Sequence, residues 1–289
     1  MIPARFDYRR ARSVKEAVRL LAEHGEEAKI LAGGHSLLPI LKARLAQPGL
    51  LIDIGRVRGL DGIRAARRTL IIGALVTHYQ VESSELLKER CPLLPEVAAQ
   101  IGDVQVRNRG TVGGSLAHAD PGADYPAVVI ALRASVEAQG SRGKRAIAAD
   151  EFFTDVLTTA LAPDEVLTTV RVPAAGNRSG SAYCKVAQQA SGFAICGVAA
   201  QVALGRGNRV KAVGLGVTGV AGRAYRPKES EAALLGEKPT PAALDAAAAR
   251  AAEGVEPLED LYASKEFRAH LARVWTRRAL EKALERARA

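Results

Sequence analysis

The chain has 289 residues, is 48% hydrophobic and 25% charged, and carries a formal net charge of +10. That composition belongs to a soluble globular protein long enough for two domains. No stretch approaches the roughly 20 apolar residues of a membrane span, and MIPARFDYRRARS lacks the apolar core of a signal peptide, so a cytoplasmic protein is expected.

Ser13-Val14-Lys15-Glu16 reads as a capping box opening a helix on Val14, Ala17, Val18 and Leu21 that stops at Gly25. Ala28 to Leu31 predicts a short strand running into Gly33-Gly34. A helix over Leu37 to Ala46 and a strand over Leu50 to Ile54 follow. Thr69 to Leu75 is a further apolar strand, and Ser83 to Ile101 holds two helical stretches punctuated by Pro92 and Pro95. Arg107 to Asp124 reads as a loop and Tyr125 to Leu132 as an apolar helix. Val136 to Ala138 and Arg145 to Ala148 flank the turn Gly140-Ser141-Arg142-Gly143. Val166 to Val172 adds a strand ending at Pro173, and the turn-rich Ala174 to Gly180 marks a domain boundary near residue 176. Beyond it, Ala182 to Ala187, Cys196 to Leu204 and Arg209 to Val217 predict strands, the last two joined as a hairpin through Gly205 to Asn208. Pro241 to Ala252 is an alanine-rich helix. Ser264 can cap a long last helix whose Phe267, Leu271, Val274 and Trp275 form an apolar stripe packed into the core.

Cys91, Cys184 and Cys196 are odd in number and scattered, so no disulfide framework, zinc site or iron-sulfur site is supported in this chain. The basic charge raises nucleic-acid binding, but the arginines are dispersed and aromatic residues make up only 4%. A solvated surface or a docking face for an acidic partner is the better reading.

Two segments carry the chemistry: Ala32-Gly33-Gly34-His35-Ser36 and Thr111-Val112-Gly113-Gly114-Ser115. Glycine lets the backbone approach a ligand closely, and consecutive amides can turn their N–H groups toward an anion, so a pyrophosphate suits two such turns. Neither is a GxGxxG fingerprint and no GxxxxGK[ST] loop is present, which weighs against a Rossmann dehydrogenase and a P-loop nucleotidase. A single double-glycine would be read as an ordinary tight turn. Two, each preceded by apolar structure and followed by a hydroxyl, narrow the gap between that reading and ligand binding. His35 and His118 lie in or near the turns without the carboxylates of a metal site, and turn stabilisation is their expected role.

AGGHSLLPILKARLAQPGLLIDIGRV at 32–57 and IGDVQVRNRGTVGGSLAHADPGADYPAVVIAL at 101–132 resemble the two flavin-binding segments of the FAD-binding medium subunits of molybdenum hydroxylases. TTALAPDEVLTTVRVP at 158–173 and DLYASKEFRAHLARVWTRRAL at 260–280 resemble that family's domain-closing strand and C-terminal signature. The resemblance implies an α+β protein. Residues 1–176 would form a flavin domain of the vanillyl-alcohol oxidase and para-cresol methylhydroxylase type, with two α/β subdomains, and residues 177–289 a smaller α+β domain. It further implies that Ala32 to Ser36 and Thr111 to Ser115 grip the FAD pyrophosphate, with Asp124 near the ribityl chain and Leu161 an apolar contact. Lys185 takes the place of a family lysine near the flavin, where a cation can stabilise the reduced ring; as a strand lysine it reads equally as a surface residue. Gln188 to Phe193 departs from the family pattern, since many relatives carry a basic residue and an aspartate before the aromatic. The partners implied are a large subunit with the molybdenum cofactor and a small subunit with [2Fe–2S] clusters, in a dimer of heterotrimers. A stand-alone flavoprotein oxidase or dehydrogenase is the first alternative and a nucleic-acid-binding module the second. The absence of a catalytic triad or carboxylate pair fits an electron-transfer role, for which no general base is needed.

Overall fold

The computed structural model describes residues 2–289. It opens with β1 (Asp7–Arg10), α1 (Val14–His24), β2 (Ala28–Leu31), α2 (Leu37–Lys42) and β3 (Leu50–Asp53). The strands form a parallel sheet with β3 in the middle, Leu50 standing opposite both Asp7 and Ala28. Ser13 starts α1 by accepting the Glu16 amide at 3.1 Å, but only half of the expected capping box forms. The Glu16 carboxylate reaches past Ser13 to the Arg12 amide at 2.7 Å. Ala17, Val18, Leu20 and Leu21 of α1 bury with Leu50, Ile52 and Ile54 in one small core. The helix expected to reach Ala46 ends four residues earlier, where Arg44 turns into the left-handed region at φ 56°.

A second sheet is antiparallel, in the order β4 (Ile63–Ala66), β5 (Thr69–Gly73), β10 (Val166–Pro173), β6 (Ser135–Gly140) and β7 (Gly143–Ala148). The β6–β7 hairpin turns at Ser141-Arg142, as expected. Between β7 and β10 lie α9 (Ala149–Phe152) and the short ribbon of β8 (Phe153–Asp155) and β9 (Thr158–Thr159). The segment from β5 to β6 is a run of short helices: α3 (His78–Ser83), α4 (Glu85–Arg90), α5 (Leu93–Ala98), α6 (Val104–Arg109), α7 (Val112–His118) and α8 (Asp124–Ala131). This corrects the loop expected over Arg107 to Asp124. The reason is capping: Asp103 accepts the Val106 amide at 2.8 Å and Thr111 accepts the Gly114 amide at 3.1 Å, giving each short helix a start despite its glycines. Thr77 and Ser84 do the same for α3 and α4.

The last third forms the meander β11 (Ser179–Ala187), β12 (Ala194–Leu204) and β13 (Val210–Thr218), followed by α10 (Lys228–Leu234), α11 (Pro241–Ala249) and α12 (Lys265–Arg288). Strand alternation divides its side chains between two cores. Ala182, Val198, Ala200 and Val202 pack with α12, whereas Tyr183 and Ala199 join the core that contains α8. α8 is buried at every residue. It lies so close to β13 that a Cβ on Gly214 or Gly216 would come within 2.1 or 2.0 Å of the Ala131 or Ala127 carbonyl oxygen. The stripe expected on α12 is shifted. Phe267 is 47% exposed and Val274 and Trp275 are only half-buried, while Leu271, Ala272, Thr276, Ala279, Leu280 and Ala283 face the sheet. Small side chains win that face because the backbones meet, Gly180 of β11 leaving no room for a Cβ beside the Ala283 carbonyl. Helices and antiparallel strands are largely segregated along the chain, an α+β arrangement.

Candidate functional site

The first glycine turn links β2 to α2, and the second is the opening turn of α7. They touch. A Cβ on Gly33 would lie 2.1 Å from the Arg109 carbonyl oxygen, just before Thr111, so only glycine lets the two segments meet. Gly34 holds a φ of 80°, and Gly113 is pressed against Ala74 at the end of β5, where a Cβ would meet the Ala74 Cβ at 2.5 Å. Both turns open on one cleft of about 440 Å³.

The turns differ in what their backbones offer. In the second, the Val112 and Gly113 amides donate to the Val76 and Ala74 carbonyls at 2.9 Å. Gly114 donates to Thr111 Oγ1 at 3.1 Å, and Ser115 to the Thr111 carbonyl at 3.0 Å. In the first, the amides of Gly33, Gly34, His35 and Ser36 donate to no acceptor among the described residues. The unspent donors therefore lie in Gly33 to Ser36, and the second turn faces the cleft with side chains such as Ser115.

Asp124 begins α8 at the cleft wall and is 5% exposed. Its Oδ1 accepts the Tyr183 hydroxyl at 2.5 Å and lies 3.0 Å from Lys185 Nζ. Burial pushes the Asp124 carboxyl above its ordinary range, with the Lys185 charge and the Tyr183 hydroxyl pulling the other way. Burial and the adjacent Asp124 push the Tyr183 phenol well above its usual value. Lys185 also donates to the Gln100 and Gly192 carbonyls, each at 2.8 Å. It is not the exposed strand lysine of one sequence reading, its side chain being 5% exposed, and it does not line the cleft.

Of the residues expected at the site, Ala32, Gly33, Gly34, His35, Ser36, Thr111, Gly113, Gly114, Ser115, Asp124 and Leu161 line the cleft together. Val112 lies beneath it in the core, 1% exposed. Ile101 and Gly102, at the head of the second flavin-like segment, and Ser191-Gly192-Phe193, within the departing stretch, line the cleft as well, and so does His78, which sequence reasoning passed over. His78 follows the N-cap Thr77 and is 4% exposed, its Nδ1 buried without a partner. Burial lowers it to about 4, so its ring is neutral near pH 7. The signal that could have found it was the capping box Thr77-His78-Tyr79-Gln80, which puts a histidine at the first helical position. His118 Nε2 lies 4.0 Å from Asp120, and no cluster of metal-ligating side chains occurs among the described residues.

Against known families, residues 4–175 match the model of the FAD binding domain in molybdopterin dehydrogenase, and residues 181–283 that of the CO dehydrogenase flavoprotein C-terminal domain. The chain belongs to the FAD-binding medium-subunit family of molybdenum hydroxylases. It is 43% identical to the carbon monoxide dehydrogenase medium chain of Hydrogenophaga pseudoflava, over 99% of each chain. Identity to the 6-hydroxypseudooxynicotine dehydrogenase complex subunit alpha of Paenarthrobacter nicotinovorans is 40%, over 100% of this chain and 97% of that one. A solved structure of the Hydrogenophaga pseudoflava carbon monoxide dehydrogenase, in a form lacking the Mo-pyranopterin moiety, superposes with a TM-score of 0.96 at 44% identity, covering 99% of each chain. The cleft fits the FAD of such a medium subunit. Its first turn supplies unspent amide donors for a phosphate, its glycines leave no Cβ between the turns, and Ile30, Leu75, Ile101 and Leu161 give it an apolar wall for a ring system. The chain is thus part of an oxidoreductase. No described helix is long and apolar enough to cross a membrane.

Proposed function

We propose that this medium subunit is the outlet of a three-chain hydroxylase. A large partner would oxidise the substrate at a molybdenum cofactor, a small partner would relay electrons through [2Fe–2S] clusters, and an external acceptor would be reduced at this chain. Bound FAD supplies the chemistry that joins two-electron and one-electron carriers. The observation that carries the reading is the meeting of the two glycine turns at one cleft, with the amide donors of Gly33 to Ser36 free. Those amides would hold the pyrophosphate, Ser115 and Thr111 would flank it, and Leu161 would pack on the apolar part. Asp124 would face the ribityl chain, its carboxyl group held in place by Lys185 and Tyr183. The flavin domain, of the vanillyl-alcohol oxidase and para-cresol methylhydroxylase type, would end near residue 176. The assembly would be a dimer of heterotrimers in the cytoplasm.

A Gly34→Val variant tests this in the assembled complex. Valine is strained at a φ of 80°, so the donor turn deforms. The purified complex is expected to lose most of its FAD while keeping its iron and molybdenum content. Full FAD content in the variant would remove the first turn from the cofactor site.

A further inference from the structure

Lys185 is fully engaged without reaching the cleft. Its ammonium has three protons, and its neighbours are three acceptors: the Gln100 carbonyl at 2.8 Å, the Gly192 carbonyl at 2.8 Å, and the Asp124 carboxylate at 3.0 Å. Each acceptor belongs to a separate part of the cleft wall. Gln100 closes the α5 segment just before the lining residues Ile101 and Gly102, Gly192 sits between Ser191 and Phe193, and Asp124 starts α8. Beyond Lys185, the wall segment that follows β11 is tied to the α8 side by the Ala194 amide, which donates to the Gly122 carbonyl at 2.9 Å, and otherwise bonds within itself. Gln188 and Gly192 bond to one another, Ser191 caps the Phe193 amide, and Phe193 itself is 41% exposed.

We infer that Lys185 is a positioning residue that clasps three wall segments from behind. The inference rests on the reading of the cleft as the FAD site. Its physical basis is that a buried ammonium must satisfy all its donors, and here it can do so only with the three segments held together. Removing it leaves two carbonyls without that donor and the buried Asp124 carboxylate with the Tyr183 hydroxyl but no cation, and it loosens the Ser191-Gly192-Phe193 wall. The cleft then loses its preorganisation, although no group that faces the cofactor has been changed.

The test uses the three-chain complex, stripped of FAD and titrated with it again, as wild type and as Lys185→Met. Amide exchange is followed across the chain in the same samples. The variant is expected to bind FAD about tenfold more weakly or worse, the scale of loss when supporting groups of a preorganised site are loosened. Exchange should quicken at residues 100–103 and 188–194 and stay unchanged in α12. Where Lys185→Met does not assemble, Lys185→Arg carries the same expectation, because it keeps the charge beside Asp124 but its planar fork cannot meet both carbonyls. Unchanged FAD affinity, or exchange that rises uniformly through α12, would overturn the clasp. A wild-type complex that takes up no FAD would overturn the FAD reading itself, an outcome visible before any variant is compared.

Discussion

His78 shows what a single side chain contributes behind the cleft. Its ring is neutral in the folded chain, held down to about 4 against an ordinary value of 6.5, because burial penalises the charged form. The unfolded chain takes up the proton first as pH falls. The stability that depends on the neutral ring is therefore whole above about 6.5, drains as pH drops toward 4, and changes no further below that. The loss amounts to on the order of 3 kcal/mol over that window. Denaturant unfolding without added FAD should show this slope between pH 6.5 and 4, and His78→Gln should flatten it; an identical slope in the variant would place the proton elsewhere. Sequence alone named His35 and His118, in and near the glycine turns, whereas for His78 it offered a helix start but no sign of burial. Its importance comes from burial against Tyr125, with ring centroids 5.3 Å apart, and burial is a property of the packed chain. The burial of Lys185 behind Asp124, likewise, was not legible from its place on a strand.

At the scale of elements, apolar patterning identified what is half-buried or, like α8, fully buried, and missed what is exposed at an edge or held by a cap. β1 is exposed along its whole length and β4 along most of it, so neither carries an apolar alternation. α6 buries no residue, and α7 contains both glycines of the second turn; each is a helix because of its cap. The glycines had been read for their ligand, but Gly33 and Gly113 are also fixed by contacts between backbones. The same logic governs the join between the two halves of the chain. Gly216→Ala would drive a methyl into the Ala127 carbonyl, whereas Gly176→Ala enters open space. Overpacking of this kind costs about 1–3 kcal/mol or more. Thermal or denaturant unfolding should show Gly216→Ala destabilised by roughly that amount and Gly176→Ala near wild type. Equal stability of the two would mean that α8 and β13 are not packed as closely as described.

Across the whole molecule, the family was legible because its motifs sit where backbone contacts permit only certain residues, while the use of the +10 charge was not. Some arginines read as surface are structural. Arg268 is 2% exposed and bonds to the Ile195 carbonyl at 2.8 Å and to Asp260 at 2.6 Å. Arg133 and Arg226 both pair with the buried Glu231, at 2.6 and 2.8 Å. The two halves share α8, and Thr218 at the end of β13 bonds to the carbonyls of Pro121 and Ala123, so the C-terminal sheet braces the loop that carries Asp124. The cleft is therefore a product of both halves, with Ser191 to Phe193 contributed from beyond residue 176. The most direct measurement is the visible absorption spectrum of the protein captured gently from its native source, with the released cofactor identified and the co-purifying chains recorded. The account predicts a flavin spectrum overlaid with iron-sulfur absorption, FAD in the released fraction, and two further chains. A colourless single chain that also fails to take up added FAD would contradict it.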